Sequence, residues 1–244
     1  MRSNVFDAGR LVQFMRRQAT MHQQSALIAA GAVLGALLVI SLLVAVFNRQ
    51  GVPDLRGLYH TVFFLGGYVF ASQVFGELHS PQRSYAYLTL PVSTAEKLVG
   101  SWLVVSLGYV VVYWIAAFLI YLAANMVADW PHEPLQLFNR DFFQSVIAFL
   151  VTQTVFFLGA CYFRKNNFLK TLFALFVVAV VVGLYTGLLA WGMLSKEGGN
   201  INFGQGEGYE TGQVIEQIAT VFFRYVLGPF MLIVYYFRLK ERQA

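Results

Sequence analysis

The sequence has 244 residues, of which 58% are hydrophobic and only 12% are charged, and its mean hydropathy is +0.61. Soluble domains carry about twice that charged fraction, so the composition excludes a soluble globular protein and predicts a membrane protein with several spans. The net charge of +5 is accounted for by the Lys and Arg residues that orient a multi-pass chain, so it does not indicate a nucleic-acid partner.

The first predicted element is a helix over residues 5–22 that lies in the cytoplasmic membrane interface. Its apolar stripe consists of Ala8, Leu11, Val12, Met15 and Ala19, which recur at helical spacing. The residues outside this stripe include Phe6, Arg10, Gln13, Phe14 and Arg17. A soluble amphipathic arm that docks on a partner protein is the alternative interpretation.

Six apolar stretches predict an all-α polytopic membrane protein with six transmembrane helices, since crossing a bilayer takes about 20 such residues. The stretches cover residues 25–47, 58–75, 102–124, 142–163, 168–194 and 217–237. The second is marginal in length, and the fifth is long enough to tilt or to extend past the hydrocarbon.

Residues 77–101 form a polar interruption between the second and third spans. Within it, the sequence Ser93-Thr94-Ala95-Glu96 has the form of a capping box, in which the Ser93 hydroxyl and the Glu96 carboxylate each accept a backbone N–H of the other residue. Pro91 disfavours helical backbone at Leu90, so a short helix is predicted to start at this point. At the membrane surface, such a capped turn would be a rigid segment on which another protein could act.

The two sides of the membrane differ in charge. With six spans, most of the 17 Lys and Arg residues fall on the side that holds both termini and the 77–101 loop, which predicts that this side is cytoplasmic. Residues 195–216 are polar and rich in glycine, and they are predicted to form an external loop or a partly re-entrant hairpin.

Catalytic chemistry is missing from the sequence. The four histidines are scattered over different segments, so no metal site is predicted, and no nucleophile motif indicates an enzyme. The sequence G-x-x-x-x-G-K-[ST] is also absent, so the chain is not expected to bind ATP by itself. Energy for any transport would come from another protein.

The layout of the chain resembles that of the type-2 ABC exporter permeases (the ABC-2 superfamily). In sequence, the resemblance rests on residues 87–101, YLTLPVSTAEKLVGS. It implies a permease subunit of the bacterial inner membrane that forms a homo- or heterodimer and binds two copies of an ATP-binding subunit. ATP and Mg would be held by those subunits and no cofactor by this chain, while the 77–101 loop would act as the coupling helix.

The resemblance also assigns roles to individual residues. Pro91 and Ser93 would set the start of the coupling helix, Glu96 would cap it, and Lys97 would face the ATP-binding subunit. The approach to it would be formed by Arg83, Tyr85 and Tyr87, and the connecting helix would carry Arg10, Arg16 and Arg17. The alternatives are a solvated helix face for Glu96 and Lys97, the interfacial aromatic belt for Tyr85 and Tyr87, and anionic lipid head groups for the three arginines.

Polar residues in the spans are candidates for a substrate path. They are Tyr68, Ser72, Gln73, Gln144, Gln153 and Arg224. Polar residues in spans more commonly hold helices together, and Arg224 has two further interpretations, a pair with Glu216 or snorkelling to the outer surface. The mostly apolar path would suit export of a hydrophobic or amphipathic substrate such as a lipid, peptide or drug.

A different class of function is the alternative to the exporter. A stand-alone channel, an ion-driven carrier or a non-transporting membrane scaffold would also span the membrane several times. A carrier usually has ionisable groups deep in its spans or broken helices in corresponding halves, and Arg224 is the one candidate of this kind in the sequence.

Overall fold

The computed structural model describes residues 6–21, 23–47, 55–73, 84, 89–128, 140–196, 217 and 220–241, and within these ranges the chain forms no strand. The helices are α1 (Ala8–Met21), α2 (Gln23–Phe47), α3 (Arg56–Gln73), α4 (Thr94–Leu103), α5 (Tyr109–Ala128), α6 (Arg140–Tyr162), α7 (Asn167–Lys196) and α8 (Gly228–Glu241). Two π-helical segments, π1 (Val104–Gly108) and π2 (Phe222–Leu227), lead into α5 and α8. The prediction of an all-α chain is confirmed.

Five helical segments of the described chain are long and apolar enough to cross a membrane. They are Leu27–Phe47, Thr94–Val127, Phe142–Tyr162, Asn167–Leu188 and Phe222–Glu241, which overlap the first, third, fourth, fifth and sixth predicted spans. The protein is therefore a multi-pass membrane protein. The second predicted span forms α3, whose 18 residues extend for about 27 Å, slightly less than the thickness of the hydrocarbon core.

The third span begins earlier than the sequence predicted. Instead of a short helix followed by a separate span from residue 102, α4, π1 and α5 follow one another without a break from Thr94 to Ala128. No proline and no glycine cluster follows the capping box to end the helix, so it continues through a single widened π-helical turn.

An aromatic cluster joins α3, α5 and α6. The ring of Phe63 lies at its centre, 4.5 Å from the ring of Phe149 and 5.2 Å from that of Tyr113. Tyr113 also donates a hydrogen bond of 2.6 Å to the backbone carbonyl of Tyr59. A side chain at position 67 would collide with Phe149, so Gly67 is what allows α3 and α6 to approach this closely.

A second cluster connects α1 to α6 and α8. Phe14 is buried in it together with Phe157, Tyr235 and Leu239, and the rings of Phe157 and Tyr235 are 4.9 Å apart. The N-terminal helix is thus part of the hydrophobic core and packs against the spans.

The buried face of α1 overlaps the predicted stripe only in part, since Leu11 and Met15 are half-buried. Phe14 and Gln18 are buried, whereas Val12, which was predicted to lie in the stripe, is 63% exposed. Apolar residues occur on more than one side of this helix, and Gly100 on α4 leaves space for the large side chain of Phe14. The shape of the surface that receives the helix therefore decides which side is buried.

The first turns of the long helix α7 pack against α3 and α6. Asn167 donates to the backbone carbonyl of Ser72 over 3.3 Å, and the side chain of Thr171 fills the space left by Gly159. Beyond these turns its large apolar side chains are exposed, among them Leu172, Phe173, Phe176, Val178, Val181, Leu184 and Leu188.

Candidate functional site at the start of the third span

The chain reaches α4 through a tight turn at Pro91. The N–H of Val92 donates to the carbonyl of Leu90 over 2.7 Å, and Ser93 is extended, with φ −66° and ψ 158°. The backbone N–H of Glu96 then donates to the hydroxyl of Ser93 over 3.2 Å, and the N–H of Ser93 donates to the Glu96 carboxylate over 2.7 Å. The predicted capping box and the predicted start of a helix are therefore confirmed.

The Glu96 carboxylate has a second set of partners on the N-terminal segment. Its Oε1 accepts from the backbone N–H of Asp7 over 2.7 Å and from the guanidinium of Arg10 over 3.2 Å. The Asp7 carboxylate in turn accepts from the N–H of Gly9 over 2.7 Å at the start of α1. One carboxylate thus holds the N-termini of two helices together, and we refer to Asp7, Arg10, Ser93 and Glu96 as the Glu96 junction.

The chemistry of the junction requires a charged carboxylate. The side chain of Glu96 is 0% exposed, and a buried charge is costly unless it is paired and hydrogen-bonded. Two backbone N–H groups and one guanidinium donate to it, and the positive ends of two helix dipoles lie beside it, all of which favour the ionised form. The alternative of a solvated helix face is therefore wrong for Glu96.

Lys97 does not face outward as predicted. It is 1% exposed, because α4 is covered on one side by α1 and on another by α8. The exposed side of this segment carries Pro91 and Ala95 instead. A partner protein at this end of α4 would contact those two residues and would not reach the lysine.

Below the junction, α1 and α4 run side by side in the same direction, since Arg10 contacts Glu96 and Phe14 packs on Gly100 one turn further along both helices. A Cβ atom at position 100 would lie only 2.8 Å from Cδ1 of Phe14. Of the other predicted arginines, Arg16 is exposed and Arg17 is partly buried.

Some of the site was not visible in the sequence. Asp7 has the chemistry of a helix N-cap and precedes an amphipathic helix, which is a readable signal. Its bond to Glu96 spans 89 positions of sequence, and no local pattern specifies that pairing. The predicted roles of Arg83, Tyr85 and Tyr87 fall on residues outside those that the structure describes.

The six candidates for a substrate path lie in different surroundings. Tyr68 shares a hydrogen bond of 2.7 Å with the hydroxyl of Thr152, and Gln153 is fully buried and donates to Ser106 in π1. Ser72 is buried and donates to the carbonyl of its own helix at Val69. The three candidates on the surface are Gln73, Gln144 and Arg224. Tyr68 and Gln153 connect neighbouring helices, which matches the alternative that polar residues in spans hold helices together.

Comparisons of this chain with protein-family models, with curated proteins and with solved structures find no match. Within the described ranges, no group of three or more His, Cys, Asp and Glu residues is placed to hold a metal ion. The Glu96 junction is therefore the feature from which a function is best inferred.

Proposed function

We propose that the chain is the membrane-spanning permease subunit of an ATP-driven exporter, and that the Glu96 junction receives force from a separate ATP-binding subunit. The observation that carries the proposal is the buried Glu96 carboxylate, which fixes the start of α1 to the start of the third span. A site that ties two helix ends together at one end of a span is suited to mechanical coupling.

The helix that leaves the junction supports this role. From Thr94 to Ala128 it extends for about 52 Å, which exceeds the hydrocarbon thickness of about 30 Å. A displacement of its capped end would therefore move the membrane-embedded part as well. Because α1 is bonded to Glu96 and packed on Gly100 through Phe14, it would move with the same helix.

The proposal includes six passes, because the directions of the helices alternate. Phe63 contacts Phe149 and, further along both helices, Tyr68 contacts Phe156, so α3 and α6 run in the same direction. α5 and α3 run in opposite directions, because the hydroxyl of Tyr109 donates a hydrogen bond to the carbonyl of Phe63 and that of Tyr113, further along α5, donates to the earlier residue Tyr59 of α3. These pairings support the proposal that α3 is a second span. Six passes would place both termini on one side of the membrane, and we assign that side to the cytoplasm.

The partners follow from the same proposal. An ATP-binding subunit would bind the exposed side of the α4 start at Pro91 and Ala95, beside the outer surface of α1. Two permease subunits and two ATP-binding subunits would form the exporter in a bacterial inner membrane. The substrate would be hydrophobic or amphipathic, since the spans offer mostly apolar and aromatic surface.

Copurification tests the proposal directly. The full chain would be purified in mild detergent from its native host, and we expect a stoichiometric P-loop ATPase to copurify. Ala95→Trp places a bulky side chain on the exposed side of α4 and is expected to lose the ATPase. Val111→Trp, at a position that is 56% exposed on α5, is the matched control and is expected to keep it.

A further variant separates binding from coupling. Glu96→Gln leaves the exposed side of α4 intact, so the ATPase should still copurify while substrate-stimulated hydrolysis falls. A chain that purifies alone and without ATPase activity would contradict the proposal. Conductance of that preparation in liposomes would then favour the stand-alone channel.

A further inference from the structure

The turn between α6 and α7 carries a shallow groove of about 350 Å³, which we call the hairpin groove. Its lining is formed by Phe163, Asn166, Leu169, Lys170, Phe173 and Ala174 and is almost entirely apolar. Asn166 closes the turn in the left-handed region, with φ 52°, and its carbonyl accepts from the N–H of Lys170 over 3.0 Å. Asparagine is one of the few residues that adopt this conformation readily, so the shape of the turn is built into the sequence.

One cation lines the hairpin groove and two more lie in the turn between its lining residues Phe163 and Asn166. Arg164 and Lys165 are exposed in the turn, and Lys170 lies on the first turn of α7 with its ammonium 5.8 Å from the centre of the Phe163 ring. In the part of the chain that the structure describes, no carboxylate pairs with these three cations. The turn and the first turn of α7 therefore hold three basic side chains that no described carboxylate pairs with.

The other end of the hairpin groove continues as apolar surface. Phe173 is 68% exposed and Phe176 is 63% exposed, and exposed apolar side chains continue along α7 to Trp191. A ligand that fills the groove would thus have its charged end beside the cations and its apolar end along α7. Both ends of the site are matched by one amphipathic anion.

We propose that the hairpin groove binds an anionic phospholipid. Its phosphate lies against Lys170, Arg164 and Lys165, and one acyl chain lies over Leu169, Phe173 and Ala174. The charge favours a lipid with a net negative head group over a zwitterionic one, and the apolar lining favours a lipid over a soluble phosphate. The assignment does not depend on whether the chain is a permease.

Native mass spectrometry of the full chain in detergent micelles tests this assignment. The protein would be titrated with phosphatidylglycerol and, separately, with phosphatidylcholine carrying the same acyl chains. We expect phosphatidylglycerol to bind more tightly, and Lys170→Gln to weaken it about fivefold, as expected for one basic residue near an anionic surface. Lys240→Gln removes an exposed lysine near the end of α8 and is expected to leave the affinity unchanged.

A second variant tests the apolar part of the site. Ala174→Trp fills the hairpin groove without changing its charge, so it should weaken the binding of both lipids. Equal affinity of the unmodified protein for the two lipids would overturn the proposal, as would equal effects of Lys170→Gln and Lys240→Gln. Displacement of phosphatidylglycerol by millimolar glycerol phosphate would show a phosphate site that needs no lipid, and would overturn it as well.

Discussion

At the scale of single residues, Glu96 is distinguished by the hydrogen bonds that both of its carboxylate oxygens accept. Oε2 accepts from the N–H of Ser93, and Oε1 accepts from the N–H of Asp7 and from Arg10. A glutamine has nearly the same shape, but its amide nitrogen cannot accept a hydrogen bond. In a Glu96→Gln variant, the backbone N–H at the start of one of the two helices would therefore lie opposite the side-chain NH₂ group. That group cannot accept its hydrogen bond.

Glu96→Gln is therefore expected to release α1 from the start of α4. Hydrogen bonds to a charged group contribute about 1.5–3 kcal/mol, so the docked state should lose about 2 kcal/mol. If trypsin cleaves only the undocked helix, cleavage after Arg16 and Arg17 should accelerate about 30-fold in detergent micelles. Mass spectrometry of the peptides over time gives the rate.

Glu241→Gln is the matched control for this measurement. Its carboxylate pairs with Arg238 over 2.7 Å, but the Glu241 side chain is 64% exposed, so the pair contributes little. Cleavage of α1 should remain unchanged in this variant. If Glu96→Gln also left the rate unchanged, the Glu96 junction would not hold α1.

At the scale of elements, α1 shows why an apolar pattern alone does not identify a buried face. The helix carries Val12 and Phe14 on different sides, and both are strongly apolar. Phe14 is 3% exposed and Val12 is 63% exposed, because Phe14, together with Leu11, lies against Gly100 and Val12 does not. The outward side of α1 is thereby left for lipid or for a partner.

Phe14→Ala is expected to loosen α1, whereas Val12→Ala is not. Truncation of a buried Phe costs about 3–5 kcal/mol, while a surface substitution changes stability by about 0.5 kcal/mol or less. Hydrogen exchange of the α1 amides, followed by mass spectrometry, should accelerate about 100-fold or more in Phe14→Ala. Faster exchange in Val12→Ala than in Phe14→Ala would mean that the predicted stripe is the docked face after all.

The parts of the fold that the sequence predicted are those with local causes. The capping box involves Ser93 and Glu96, which are three residues apart, and the spans depend on the length of apolar runs. Both features can therefore be predicted from short stretches of sequence. The burial of Lys97 and the contact of Phe14 depend on which helices lie beside α4, which is decided over the whole chain. For the same reason, the bond between Asp7 and Glu96 could not be predicted from either segment.

At the scale of the whole molecule, α3 is the shortest of the helical segments that correspond to the six predicted spans. α3 has only 18 residues, yet it lies between α5 and α6 with Phe63 at the centre of the aromatic cluster. Trp114 contacts Phe142, and further along α6 Gln153 bonds back to Ser106, so α6 runs opposite to π1 and α5. α3 therefore runs parallel to α6 and antiparallel to α5, which is the direction expected of a second span.

The position of α3 in the membrane can be tested by labelling single cysteines from one side. In a Cys161→Ser background, cysteines would be placed at Gly57 on the first turn of α3, at Pro91 before α4 and at Lys165 in the turn before α7. If α3 crosses the bilayer, an impermeant thiol reagent added to intact spheroplasts should label position 57 and leave positions 91 and 165 unlabelled until the membrane is opened. Common labelling of positions 57 and 91 would show that α3 enters and leaves on one side. Labelling of positions 91 and 165 alone would agree with six passes in the opposite orientation. In a six-pass chain, the alternating helix directions determine which segments share a side of the membrane, and the distribution of Lys and Arg predicts which of the two sides is cytoplasmic.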